Sequence, residues 1–207
     1  MTKCFQFGLV LLALIFAQGC ESMGRNFVGR NFERPDVNTF ILGKTTSQQI
    51  TSIYGKPYSE TKEMLHGELV TTSSYYYSIY GSQVRSVYRE AKNLACLFAK
   101  DTLVGYVWSS SFEGDSSNFD DSKITRIQKG KTAEGEVVKL LGKPNGIFIY
   151  PATNNKADKS DREIYYYCRW YTDINSYNYK TTTIRLDSGA TVKDIDYSSS
   201  IRNDNNQ

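Results

Sequence analysis

Apolar and turn-forming positions fall into two matched patterns along this chain. Phe40, Ile50 and Tyr54 are answered by Ile127, Val137 and Leu141, each 87 residues later, and Gly43, Lys44, Thr45, Gly55, Lys56 and Pro57 are answered at the same spacing by Gly130, Lys131, Thr132, Gly142, Lys143 and Pro144. A spacing kept through nine positions marks an internal repeat. In each copy Val37 and Phe40, or Ile124 and Ile127, are three apart and share one face of a short opening helix, which Gly43 or Gly130 stops. Thr45 with Gln48 makes a capping box for a second helix, and Thr132 with Glu134 and Glu136 suits the same place in the second copy. Ile50, Ile53 and Tyr54, matched by Val137, Val138 and Leu141, form the stripe of that helix. Gly55 and Gly142 take a left-handed closing position, and Pro57 and Pro144 forbid continuation.

Strands follow in both copies. Tyr75-Tyr76-Tyr77 answers Tyr165-Tyr166-Tyr167, and the run from Ala95 to Ser111 answers that from Ile184 to Ser200 at a spacing of 89, with Asp187-Ser188-Gly189 as a hairpin turn. The expected class is α+β: two tandem helix-helix-antiparallel-sheet modules, 36–114 and 115–200, before a disordered tail, 201–207. On a strand Tyr76 faces away from Tyr75 and Tyr77, and Tyr166 away from Tyr165 and Tyr167, so each triad turns at least one ring away from the helices. All six tyrosines are candidate partner-binding residues, since Tyr and Trp dominate interface hot spots. Ile79 continues the Tyr75 set whereas Cys168 and Trp170 continue the Tyr166 set, which leaves the open face undecided.

The amino terminus changes the picture. Lys3 precedes an apolar run, Gly8 to Ala17, that is too short to span a bilayer and has the form of a secretory signal, 1–19. Ala17-Gln18-Gly19-Cys20 resembles a bacterial lipobox, and the resemblance implies that Cys20 is acylated and anchors the chain in the outer membrane, facing the periplasm. Residues 20–35, with Gly24-Arg25-Asn26-Phe27 echoed by Gly29-Arg30-Asn31-Phe32, read as a lipidated tether.

The segments Ser122-Lys123-Ile124, Gly130-Lys131-Thr132 and Leu140-Leu141-Gly142-Lys143-Pro144 resemble the opening helices of the SmpA/OmlA (BamE-like) lipoprotein family, whose helix-helix-sheet fold occurs in tandem in β-lactamase inhibitory protein. The resemblance implies a non-catalytic protein-binding or scaffolding role, in outer-membrane β-barrel assembly or envelope integrity. The alternative it implies is a periplasmic inhibitor that holds a hydrolase between its two sheets.

Composition excludes several classes. A net charge of +3 without a clustered basic face gives no nucleic-acid footprint. Gly43-Lys44-Thr45 and Gly130-Lys131-Thr132 lack the earlier glycine of a phosphate loop, since Asn38 and Thr125 stand there. His66 is the only histidine and reads as an exposed loop residue, no zinc-ligand spacing occurs, and no catalytic residue, cofactor, metal or small-molecule substrate is expected. Cys4 leaves with the signal and Cys20 takes lipid, so Cys96 and Cys168 remain either as a bridge between modules or as two buried thiols.

Overall fold

The computed structural model describes residues 26–36, 39–80, 90–115, 117–154, 158–173 and 176–203. Its strands are β1 (Asn26–Gly29), β2 (Ser59–Leu65), β3 (Glu68–Tyr80), β4 (Glu90–Ala99), β5 (Thr102–Ser110), β6 (Gly146–Ile149), β7 (Arg162–Asp173), β8 (Ser176–Leu186) and β9 (Val192–Asn203). All pair antiparallel in one sheet of order β1-β3-β4-β5-β6-β7-β8-β9, and β2 pairs with β3 as well. Two helices of 8 residues, α1 (Ser47–Tyr54) and α2 (Glu134–Leu141), and a 3-10 helix, Asp121–Arg126, complete the described elements.

This overturns the α+β expectation of tandem helix-helix-sheet modules. The copies do not keep separate sheets: β5, the last strand of the first, pairs with β6, the first of the second, through Gly105↔Phe148, Tyr106↔Ile147 and Val107↔Gly146. Pairing there satisfies two rows of backbone groups that two separate sheets would leave as open edges. The opening helices are also reduced. Residues 40–44 run through turns, and the second opening segment is the 3-10 helix. One pair of apolar residues does not offset the cost of nucleating a helix.

The repeat survives as a backbone tie. Gly43 N–H donates to the Leu103 carbonyl and Leu103 N–H to the Thr45 carbonyl, each at 2.8 Å; Gly130 and Thr132 make the same pair with Val192 at 2.7 and 2.9 Å. Thr45 and Thr132 are therefore buried ties and not caps. Thr46 caps α1, reciprocally with Gln49, and Ala133 stands at the start of α2 with no side-chain bond of its own. Gly55 and Gly142 do have positive φ (80° and 85°), but with ψ near −161° and −168° they occupy extended backbone open only to glycine, not the left-handed helical region. Ile53, placed in the buried stripe of α1 by its spacing, is exposed.

Side chains alternate across the sheet. Lys92, Leu94, Cys96 and Phe98 of β4 point to the helix side, and their partners continue that side through Tyr106, Ile147, Ile164 and Ile184. Burying Ile50 of α1 with Leu94, Leu103 and Trp108, and Val137 and Leu141 of α2 with Ile164, Ile184 and Val192, makes two apolar clusters on one face. Among the described residues the other face is covered at one end only. There Val70, Ala99 and Val104 pack with Ile149 and Ala152. His66 holds the covering loop: its Nε2 lies 2.7 Å from the Thr153 carbonyl, its own carbonyl accepts from Tyr150 Oη at 3.2 Å, and the two rings stack. It is a partly buried clasp between the copies, not an exposed loop residue.

Part of the segment read as a tether is folded. β1 pairs with the end of β3, Phe32 packs edge-on to Tyr54, Tyr75 and Trp108, and Arg34 Nη2 donates to the carbonyls of Lys143 and Pro144. Residues 201–203 of the expected tail belong to β9. Cys20, the signal 1–19 and residues 204–207 lie outside the described residues.

Candidate functional site

Register decides which tyrosines meet. Tyr75 pairs with Leu94, which in turn pairs with Trp108, and is buried on the helix side, with Tyr77 stacking on Phe112. In the second copy Tyr166 is the buried one, its Oη donating to the Gly142 carbonyl at 3.0 Å. The two triads are thus one residue out of phase, and a one-residue slip exchanges faces. Tyr76 of the first copy and Tyr165 and Tyr167 of the second turn to the uncovered face, while Tyr75, Tyr77 and Tyr166 belong to the helix side. Both conflicting parities of the sequence are correct, each for its own copy.

Those three tyrosines line a hollow of about 570 Å³ together with Asn93, Val107, Ser109 and Arg169. It forms because β6 is only four residues long. Beyond its start no described strand stands between β5 and β7, and Asn145 spans the gap. Its backbone N–H donates to the Tyr165 carbonyl and its carbonyl accepts from Trp108 N–H, while Nδ2 donates to the Trp108 carbonyl and Oδ1 accepts from Tyr167 N–H. Gly146, between Val107 and Tyr165, puts no side chain on the floor, and a Cβ there would stand 2.5 Å from the Tyr106 carbonyl oxygen.

The lining is stiff and polar at its rim. Tyr165 and Tyr167 stack at 6.4 Å between ring centroids, Tyr76 leans on Tyr58 at 5.8 Å, and the Arg169 guanidinium lies 5.1 Å from the Tyr177 ring. Burial pushes the Tyr165 hydroxyl up from its usual range, with Tyr167 and Tyr179 adding to it, so the ring stays neutral through physiological pH. Among the described residues no group of three or more His, Cys, Asp or Glu side chains is placed to hold a metal ion. Asn145, Gly146 and Arg169 were not singled out from the sequence. One signal was present, since Asn145 stands where the first copy has Tyr58.

Cys96 and Cys168 are both free and buried, and the bridge between them is not made. Cys96 on β4 and Cys168 on β7 are three strands apart and four residues out of level, about 19 Å at sheet spacing and strand rise, against the roughly 7 Å a disulfide spans.

No family model matches the chain, so the expected SmpA/OmlA membership gains no support, and no curated protein matches it either. Among solved structures it is similar to a candidate beta-lactamase inhibitor protein from Streptococcus mutans, with 10% identity and a TM-score of 0.41 over 74% of this chain and 82% of that one. At that score the likeness decides neither fold nor role.

Proposed function

We propose that this chain is a non-catalytic binding protein that seats a protein partner in the hollow of its uncovered face. The observation that carries this reading is the convergence of Tyr76 with Tyr165 and Tyr167, one from the first copy and two from the second, over a single hollow that also holds Arg169. Tyrosines offer large, rigid, amphipathic contact area at low conformational cost, and serine, asparagine and arginine around them supply adaptable hydrogen bonds, the composition of a paratope. The volume is that of a pocket for the side chains of one inserted loop. That favours a partner with a protruding rim, such as the edge of a hydrolase's substrate cleft, and puts inhibition ahead of scaffolding in barrel assembly. In the same reading an acyl chain on Cys20 holds the protein to the periplasmic side of the outer membrane.

Photo-crosslinking in cells from positions 76, 165 and 167, with 52 and 131 as controls, tests the seat. The expected result is one protein adduct from the three hollow positions and none from the controls. An adduct identified as a hydrolase supports the inhibitor, one identified as a barrel-assembly subunit supports the scaffold, and no adduct from the hollow ends the proposal. Labelled palmitate incorporated by the wild type and lost in Cys20→Ala supports the anchor; equal labelling removes it.

A further inference from the structure

β9, 12 residues long, ends the sheet, and no described strand pairs with its outer side. Which of its backbone groups turn outward follows from the ladder. Asn145 meets the Tyr165 carbonyl and the Tyr167 N–H, so odd-numbered residues of β7 turn their backbone groups toward β6. Carried through the register, Thr183, Thr181 and Tyr179 of β8 bond Asp196, Ser198 and Ser200, and Ile195, Tyr197, Ser199 and Ile201 turn theirs outward. The start of this row is closed: Gly130 and Thr132 take both groups of Val192, Lys193 lies in the register shift, and the Asp194 carboxylate accepts from the Ile195 N–H. Past that point nothing closes it, and every residue from Asp196 to Ser200 is exposed. Sheets blunt a free edge with short strands, Lys, Pro or a bulge. At the opposite end of this sheet β1 is 4 residues long and β2 carries Glu60, Lys62 and Glu63. On β9 such devices end at Lys193, and residues 194–201 contain neither Lys nor Pro.

The open row is complementary to itself in one register. Ser199 is its centre, with Tyr197 and Ile201 on either side. A two-fold axis at Ser199 pairs that residue with its own copy and sets Tyr197 opposite Ile201, giving about six backbone hydrogen bonds. The same axis sets Asp196 opposite position 202, an arginine, once on each side. Opposite charges facing across a strand pair stabilise it and like charges oppose it. An axis at Ser198 or Tyr197 gives Asp196 a serine instead, one at Asp196 brings two aspartates together, and one at Ser200 sets Asp196 opposite Asp204. Asp194 is already held by Lys129 and Arg185, whereas Asp196 makes no ion pair among the described residues. Tyr197, 41% exposed at the rim of the helix side, gains a cross-strand neighbour in the Ser199 register.

The geometry points to a second copy of this chain on the outer edge of β9, antiparallel about Ser199, so that two sheets run on as one. This interface does not use the tyrosine hollow, and the two-fold leaves both hollows on the same face of the joined sheet. Sedimentation equilibrium on the full chain should show a monomer–dimer equilibrium. Asp196→Arg sets arginine opposite arginine on both sides of the axis and should weaken the dimer about tenfold, and Arg202→Asp should do the same by setting aspartate opposite aspartate. The two changes together exchange the charges and should restore wild-type association. Ser199→Pro removes an outward N–H at the axis and should leave only monomer. Photo-crosslinking in cells from position 199, in co-expressed copies bearing different tags, should join the two tags. A chain that stays monomeric overturns the proposal, as does a double variant no better than the singles, failure to join the tags, or an adduct from position 199 with another protein in their place. Should Ser199→Pro fail to fold, the charge exchange decides.

Discussion

Asn145 reaches Trp108 twice, Nδ2 donating to the Trp108 carbonyl at 3.0 Å while the Asn145 carbonyl accepts from Trp108 N–H at 2.6 Å. With Oδ1 accepting from Tyr167 N–H at 2.8 Å, one buried side chain closes the ladder between β5 and β7 where β6 has not yet begun. Asn145→Ala leaves a carbonyl and an N–H without partners in a buried place. Each such group costs about 1–3 kcal/mol, so the variant is expected to lose about 2–6 kcal/mol, read as a lower urea midpoint. Loss below about 1 kcal/mol would mean that the strands close without the asparagine.

Two glycines, one on each strand of the same junction, have different consequences. A Cβ on Gly105 would lie 2.5 Å from Phe148 Cδ1, the side chain of its pairing partner, whereas one on Gly146 would lie 2.5 Å from a backbone oxygen. A ring can turn away and a ladder carbonyl cannot. Gly105→Ala is expected to cost about 1–3 kcal/mol, most of it relieved by adding Phe148→Ala, while Gly146→Ala is relieved by no side-chain change. Phe148 packs against Tyr165 at 6.4 Å, so Gly105→Ala should also weaken crosslinking from position 165. Thermal melts of the singles and the double check the contrast.

The folded part of the amino-terminal segment makes a third measurable claim. Phe32 sits among Tyr54, Tyr75 and Trp108 at 5.7–6.5 Å between ring centroids. Phe32→Ala should destabilise by about 2–4 kcal/mol, less than for a fully enclosed ring because Phe32 is only partly buried. A solvated tether would tolerate the change without any shift in the urea midpoint.

What the sequence showed and hid follows from the range of each interaction. The Gly-Lys-Thr repeat was legible because a local turn and a backbone tie demand the same residues twice, although its role as a tie to Leu103 and Val192 required partners some 60 residues away. The strand pattern was legible as well. The merging of the copies was not, since Gly146-Ile147-Phe148-Ile149 has no alternation and pairing across β5 and β6 is set by edges, not by local period. The slip between tyrosine triads was written in Ile79 and in Cys168 with Trp170; treating the copies as equivalent turned that signal into a contradiction. Arg169 and Asn145 carried no chemical signature, because their value comes from where β6 begins.

Buried thiols and phenols give the fold an alkaline limit. Burial pushes the Cys96 and Cys168 thiols up, and the hydroxyls of Tyr106 and Tyr166 with them; it raises Tyr54 to about 12, with Cys96, Tyr75 and Glu33 adding to it. Unfolded thiols titrate near 9.0 and unfolded phenols near 10.0, so above those values the unfolded chain sheds protons that the folded chain retains. Stability must then fall as pH rises, with the full contribution present below pH 9.0 and loss continuing through the raised folded values. The urea midpoint should be level from pH 7 to 8.5 and decline steadily from about 9. Cys96→Ala with Cys168→Ala removes the thiol part, so the decline of that double variant should begin about one unit later, where the phenols start. Native protein at pH 8 should likewise leave both thiols unreacted with a disulfide reagent until denaturant is added. Rapid labelling of Cys96 in the native state, or a midpoint that stays level to pH 11, would show that burial does not hold these protons.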